Sequence, residues 1–193
     1  AKAKKAGTGV AIAAAVAINN ITDVTQASLS DAVVSADAID VKANNQNDIV
    51  SATGGLAFAK TDSGGNAAAL AGAFSYNEID ATTNAFVRDA EMTLRSVAFE
   101  DFVVETAEQR FSLTADNVSD VWTLAAGGAG ALASGGSASG STFTLSLAGA
   151  VSLNTVTGST RARMFDSELD LEAGDAVSDL RVRASDDSDI FAI

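Results

Sequence analysis

The side chains with most chemistry in them are carboxylates and amides gathered in short groups. These are Asp186, Asp187 and Asp189; Asp116 and Asp120; and Asp48 beside Asn44 and Asn45. Calcium takes about six to eight oxygens from carboxylates and carbonyls, and segments this rich in Asp and Asn can supply them. The spacing is neither that of an EF-hand loop nor that of a Gly/Asp nonapeptide. Asp and Asn also shape turns by bonding their own backbone. Two readings therefore stand, turn chemistry first and calcium second. Calcium is the only cofactor left open, and no residue is assigned as a metal ligand, a cofactor contact or a catalytic group.

Other chemistries find less. Glu100 and Asp101 are a carboxylate pair, but a glycosidase dyad needs a second motif and an aromatic platform for the sugar. The stretch "AAGGAGALASGGSASGS" lacks the Lys-Ser/Thr that completes a phosphate loop, and reads as a loose hairpin with a flexible tip. The chain has no His and no Cys, which excludes imidazole and thiol catalysis, disulfides and the usual zinc sites. A lyase on a β-helix would need Lys or Arg bases beside acids on one sheet, and the 12 basic residues show no such grouping. The expectation is that the protein is not an enzyme.

The net charge is −13, and it is unevenly placed. Residues 1–60 are balanced, with Lys2, Lys4, Lys5, Lys42 and Lys60 against five Asp; the whole excess lies beyond. Such a chain repels nucleic acid and anionic lipid. No apolar run approaches the roughly 18 residues of a membrane helix, so neither nucleic acid nor membrane insertion is expected.

The elements that must position these groups are written as a repeat. With Asn19, Asn77 and Asn154 superposed, Ile21, Ile79 and Val156 coincide, then Thr25, Thr83 and Thr160. Ala27, Ala85 and Ala162 follow, then Asp31, Asp89 and Asp166. The phrase N-x-[IV]-x3-T-x-A-x3-D recurs three times without a gap, the signature of a repeat architecture. The phrases start near residues 10, 68 and 145 of one repeat-built domain, 1–193.

Before each asparagine the residues alternate between large and tiny. One face carries Ile12, Val16 and Ile18, then Leu70, Phe74 and Tyr76, then Leu147, Val151 and Leu153. The other carries Ala and Ser, as in Ala13, Ala15 and Ala17. Period two defines strands, and the Gly, Ser and aromatic residues of copies two and three outvote the helical propensity of copy one. The large face is expected to be buried against the next coil, and the Ala/Ser face to approach another backbone closely. The Asn column is expected to close its amides on backbone at a strand corner, and the Thr column to be a β-branched stripe on one sheet face.

Downstream, "NNQNDIVSATGG" answers "ADNVSDVWTLAAGG", and "SDDSDIFAI" begins the same phrase. After the Gly pair each copy runs strand, Gly/Ser turn, strand. The copies differ in length between the Asp column and the polar knot, as solenoids do where they carry decorations. The segment 96–112, with Phe99, Phe102 and Phe111 among acids, breaks the repeat. It reads as a short amphipathic, helical cover over one edge, or as a protruding contact surface.

The fold class is thus all-β, a repetitive parallel β-solenoid with three imperfect repeats. Strings such as "AGAVSLNTVTGSTRARMFDSELDLEAG" followed by "LRVRASDDSDI" resemble the repeats of large bacterial surface and secreted β-solenoid proteins. Filamentous-haemagglutinin-like adhesins and fusobacterial leukotoxin repeats are of this kind. The resemblance covers nearly the whole chain outside the insert. It implies an extended solenoid on the cell surface or outside the cell, acting as a stalk or fibre, or alternatively as an adhesin-type binding module for a host or cell-surface ligand. It supplies no catalytic residues.

The phase of the repeat also bears on the ends. Ala1-Lys2 aligns with Ala59-Lys60, and "SDIFAI" aligns with "NDIVSA", so about six positions separate last from first. The chain is expected to be a segment of a longer polypeptide or the protomer of a fibre, meeting copies of itself or adjacent repeats head-to-tail through strand edges. Lys2, Lys4 and Lys5 would then lie against Asp186, Asp187 and Asp189.

Overall fold

The computed structural model describes residues 2–3, 7–62, 65–95, 109–134, 142–171 and 179–193, with backbone alone at 2, 3 and 62. Every regular element among them is a strand: β1 (Lys2–Ala3), β2 (Gly9–Ser30), β3 (Val33–Ala36), β4 (Ala38–Asp62), β5 (Ala67–Arg88), β6 (Glu91–Leu94), β7 (Arg110–Ser134), β8 (Thr144–Phe165), β9 (Glu168–Leu171) and β10 (Asp179–Ala192). A long strand, a four-residue strand and a long returning strand make one coil, and three coils stack in parallel. Sheet A is ordered β1-β4-β7-β10, sheet B β2-β5-β8 and sheet C β3-β6-β9. This is a parallel β-solenoid, as the repeat demands.

The register follows the repeat residue for residue. Asn19 pairs with Asn77 and Asn77 with Asn154, and the Thr25, Ala27 and Ile21 columns line up in the same way. Asp48, Asp120 and Asp189 form a column on sheet A, and Lys2 stands level with Lys60. The last letter of the phrase has its own cause. Asp31, Asp89 and Asp166 take φ of 52°, 48° and 50°, where the chain leaves sheet B for sheet C. Asp tolerates this left-handed conformation better than branched residues, because its short side chain can bond locally.

Which face turns inward reverses one expectation. Asn77, Ile79, Thr83 and Ala85 are buried, and so are Ala69, Ala71, Ala73 and Ser75 before them. The tiny face is therefore the inner one, and the large face looks outward: Ile12 is 72% exposed and Val16 67%. The reason is the separation of sheets A and B. A Cβ on Gly55 would lie 2.5 Å from the Gly72 carbonyl oxygen, and one on Gly127 2.6 Å from that of Gly149. Leu or Phe has no room between backbones this close, so period two is satisfied with Ala inside. The expected close approach of the Ala/Ser face is what closes the coil.

The interior changes along the strands. At the end near residues 62–67 it is an Ala zipper of Ala57, Ala59, Ala67, Ala69 and Ala71. Ile49, Ile79 and Val121 pack at mid-height. At the far end sheet C adds a third wall, and larger residues fit: Ile39, Val41, Val87, Met92, Leu94, Phe111 and Leu113.

Two further expectations are corrected. Of the insert 96–112, residues 96–108 lie outside the described residues, but Arg110, Phe111 and Ser112 begin β7, and Phe111 is fully buried. Phe111 shares a column with Ile39 and Leu180, so it belongs to the core and not to a helical cover. The strands on either side of the Gly/Ser turns, β4 with β5 and β7 with β8, lie in different sheets. They are arches between facing sheets and not hairpins, because each strand takes its hydrogen bonds from the coils above and below.

Candidate assembly surfaces

Amide ladders run through the interior along the stacking axis. Asn19 Nδ2 donates to Asn77 Oδ1 at 2.7 Å, and Asn77 Nδ2 to Asn154 Oδ1 at 2.7 Å. On the facing sheet Asn45 donates to Asn117 at 3.1 Å, and Asn117 to the Asp186 carboxylate at 3.4 Å. Hydroxyls tie the sheets together: Ser51 to Ser75 at 3.1 Å, Ser152 to Thr123 at 3.0 Å and Thr160 to Asp186 at 2.9 Å. The Asn column is thus mid-strand and bonds amide to amide, not to backbone at a corner. An interior too narrow for large apolar residues is filled by short polar ones, many bonded to one another, while Asn47 Nδ2 and the Thr53, Thr83 and Thr114 hydroxyls find no hydrogen-bond partner among the described residues.

The acid groups lie in strands and not in turns. Asp48, Asp116, Asp120, Asp186, Asp187 and Asp189 are all within β4, β7 or β10. Alternation splits the last group: Asp186 stands in the inward Asn117 column, while Asp187 and Asp189 stand in outward columns with Val118 and Asp120. Asn44 and Asn45 are split in the same way. Asp186 is held by Ser188 at 2.8 Å as well as by Thr160, and Asp116 meets Arg183 at 3.7 Å. Among the described residues no three acids converge as metal ligands would. Glu100, Asp101, Phe99 and Phe102 lie outside the described residues.

The coil faces are where the arrangement is open. β2 and β8 are the outer strands of sheet B, each with one hydrogen-bonding edge of 22 residues unpaired among the described strands. On β10, Leu180 and Ile190 are 62% and 50% exposed, although they continue the columns of Phe111 and Val121, both fully buried. They stand in core columns with nothing stacked beyond them among the described residues. β10 covers β7 up to Thr123, with Ile193 N–H bonded to the Thr123 carbonyl, and among the described residues β1 covers β4 only at Lys60 and Thr61. The two short strands occupy different heights of the same strand position. Lys2 stands level with Lys60, however, and Asp189 with Asp48, 12 residues apart along β4 or about 40 Å. The pairing of Lys2 with the Asp186–Asp189 group is therefore not geometric, and Lys4 and Lys5 lie outside the described residues.

The outer faces are divided. On its outer face sheet B is apolar from Val10 to Ile18, from Ala68 to Tyr76 and from Leu145 to Leu153, then mainly polar from Asn20, Glu78 and Thr155 onward, with Val24, Phe86 and Phe165 as the apolar exceptions. Sheet A switches at the same height, between the Asp48, Asp120, Asp189 column and the column of Val50, Trp122 and Phe191. At the boundary the Tyr76 hydroxyl donates to the Glu78 carboxylate at 2.9 Å, and that bond and the carboxylate's charge raise the phenol's pKa. At the polar end, Arg161 and Arg163 flank a groove of about 250 Å³ floored by Phe86 stacked on Phe165 at 6.2 Å.

Comparison with protein-family models, curated proteins and solved structures finds no match to this chain.

Proposed function

We propose that the chain is a structural segment of a bacterial cell-surface or extracellular fibre, whose coils stack head-to-tail through their strand edges. The observation that carries this is the match between its two open faces. A second copy placed beyond the third coil sets β2 on β8, β3 on β9 and β4 on β10, continuing every inward column: Asn154 meets Asn19, Val156 meets Ile21, and Leu180 meets Ile39. Asn154 Nδ2, which donates to Thr123 at 3.1 Å and Ser152 at 3.2 Å in the single chain, then stands level with Asn19 as the next rung of the ladder, and the β1 of that copy fills the strand position that β10 leaves. The resemblance to adhesin and leukotoxin repeats supports the same reading and the surface location. Exposed strand edges of this length are templates for pairing, and a heterologous contact that does not close gives filaments.

Sedimentation velocity and negative-stain microscopy over a concentration series test this. Filaments are expected from the wild type and only monomers from Leu180→Glu with Ile190→Glu, which charge an already exposed face without touching the inner coils. A wild type that stays monomeric at its highest attainable concentration overturns the reading. Stacking places Asp189 beside Asp48, so added salt strengthens association by screening like charges.

An adhesin-type binding module is the second reading, and the Arg161/Arg163 groove favours it. Two guanidiniums beside stacked rings suit a carboxylated sugar, whose acid takes paired N–H donors while its ring lies on the aromatic face. Polygalacturonate binding that is lost in Arg161→Gln with Arg163→Gln would support it, and no binding by the wild type would remove it.

A further inference from the structure

The apolar end of sheet B carries rows that run along the stacking axis. Ile12, Leu70 and Leu147 form one row; Ala14, Gly72 and Gly149 the next; Val16, Phe74 and Val151 the third; Ile18, Tyr76 and Leu153 the fourth. The large rows stand out into solvent: Leu70 is 48% exposed, Leu147 54% and Val151 53%. Between them the small row is a channel.

The fold does not require that channel. A Cβ on Gly149 would meet nothing within 4 Å, and one on Gly72 would come no nearer than 4.0 Å to the Gly149 carbonyl oxygen. Neither glycine has a left-handed φ to justify it. They contrast with Gly55 and Gly127, whose Cβ positions are blocked by the facing sheet. Ridge, channel and ridge at a common strand spacing are self-complementary, since a row of one copy fits the channel of another turned to face it.

We propose that this face of sheet B packs against the same face of a second copy, a large row of each seated in the other's Ala14/Gly72/Gly149 channel. The proposal rests on head-to-tail stacking as read above, for a reason of area. Three strands about 4.8 Å apart, over nine residues rising about 3.3 Å each, give a footprint of about 400 Å². A stable interface needs about 800 Å² per partner. One chain falls short and two stacked chains reach it, so lateral pairing follows stacking. The product is a four-sheet ribbon.

A lipid surface is the other candidate for an apolar face, and two features disfavour it. In an unstacked chain the edges of β2 and β8 that are unpaired among the described strands run through the apolar end, and backbone groups without partners are not tolerated in hydrocarbon. Fluid acyl chains also gain nothing from a channel one row wide.

Small-angle scattering and electron microscopy of the filaments read the thickness directly. The wild type is expected to form ribbons twice as thick as one coil. Gly149→Leu fills the channel where there is open space, and Phe74→Ser lowers a ridge. Each should give ribbons of single thickness with unchanged stacking. Variants as thick as the wild type, or a wild type of single thickness, overturn the proposal and leave stacking intact. Absence of any ribbon removes stacking and lateral pairing together. Flotation of the wild type with phosphatidylcholine vesicles, abolished by Phe74→Ser, would make lipid the occupant and also overturn it.

Discussion

Gly55 and Gly72 face each other across the interior so closely that a Cβ on Gly55 would lie 2.5 Å from the Gly72 carbonyl oxygen. The relation is one-sided, because the Cβ of Gly72 would point outward into free space. Gly55→Ala should destabilise the chain by about 1–3 kcal/mol through overpacking. Gly72→Ala should be neutral or stabilising by about 0.4–1 kcal/mol, since it restricts only the unfolded chain. Urea melts followed by far-ultraviolet circular dichroism measure both. Equal costs would deny this difference between inner and outer positions, and a reversed order would mean that the faces are exchanged.

Asn77 is the central rung of its ladder, fully buried, donating to Asn154 and Ser75 and accepting from Asn19. Asn77→Leu leaves the amides above and below without this partner, and should cost about 1–3 kcal/mol. The neighbouring Asn20 faces outward and bonds Glu78 at 3.1 Å. Asn20→Leu should stay within about 0.5 kcal/mol of wild type, as exposed substitutions do. The difference between the two midpoints is the test.

Asp89 holds a left-handed backbone at the corner between β5 and β6. Asp89→Gly should preserve or raise stability, while Asp89→Val should lower it by about 1–2 kcal/mol, because a β-branched side chain fits that conformation worse than Asp, whose short polar side chain can bond locally. A valine variant as stable as the glycine variant would show that the corner relaxes to negative φ.

Tyr76 is the only tyrosine, so its ionisation can be followed alone in the ultraviolet. The hydrogen bond to Glu78, and then its charge, raise the phenol's pKa above the ordinary value of 10.0. A group whose folded pKa is raised contributes stability that is complete below the unfolded pKa and is lost as pH rises through the folded one. The loss therefore belongs to the alkaline limb. Glu78→Gln should return the titration toward 10.0, and an unchanged midpoint would deny the contact.

The coil and its register are legible because they repeat; the corner is not, since the sequence points to the Asn column and the chain turns at the Asp column. The phrase N-x-[IV]-x3-T-x-A-x3-D consists of inward positions plus the left-handed Asp, so the residues held in common are those that touch the next coil. What was misread is orientation. Period two separates Ile12, Val16 and Ile18 from Ala13, Ala15 and Ala17, but says nothing about which set turns inward. The usual rule that large residues go inside fails here, because the distance between two backbones decides, and that distance is not written in one strand. The acid groups were misread for a related reason. Asp186, Asp187 and Asp189 are adjacent in sequence, but a strand sends neighbours to opposite faces. The Arg161/Arg163 groove has its own signal in the sequence: Arg at i and i+2 and Phe165 at i+4, on one face of a strand.

The parallel register has a mechanical consequence. One coil boundary is crossed by strands of 22, 25 and 4 residues, whose hydrogen bonds all point along the stacking axis. Tension spread evenly along that axis loads roughly 50 such bonds at once, at about one per paired residue. A pull at one corner instead opens the same bonds in succession, like a zip. Extension is slow by comparison: the chain advances one strand spacing, about 4.8 Å, for 58 residues between Asn19 and Asn77 and for 77 between Asn77 and Asn154. Such a body is a broad strap and not a thin thread, and the position of its anchor, centre or corner, sets the load it can bear.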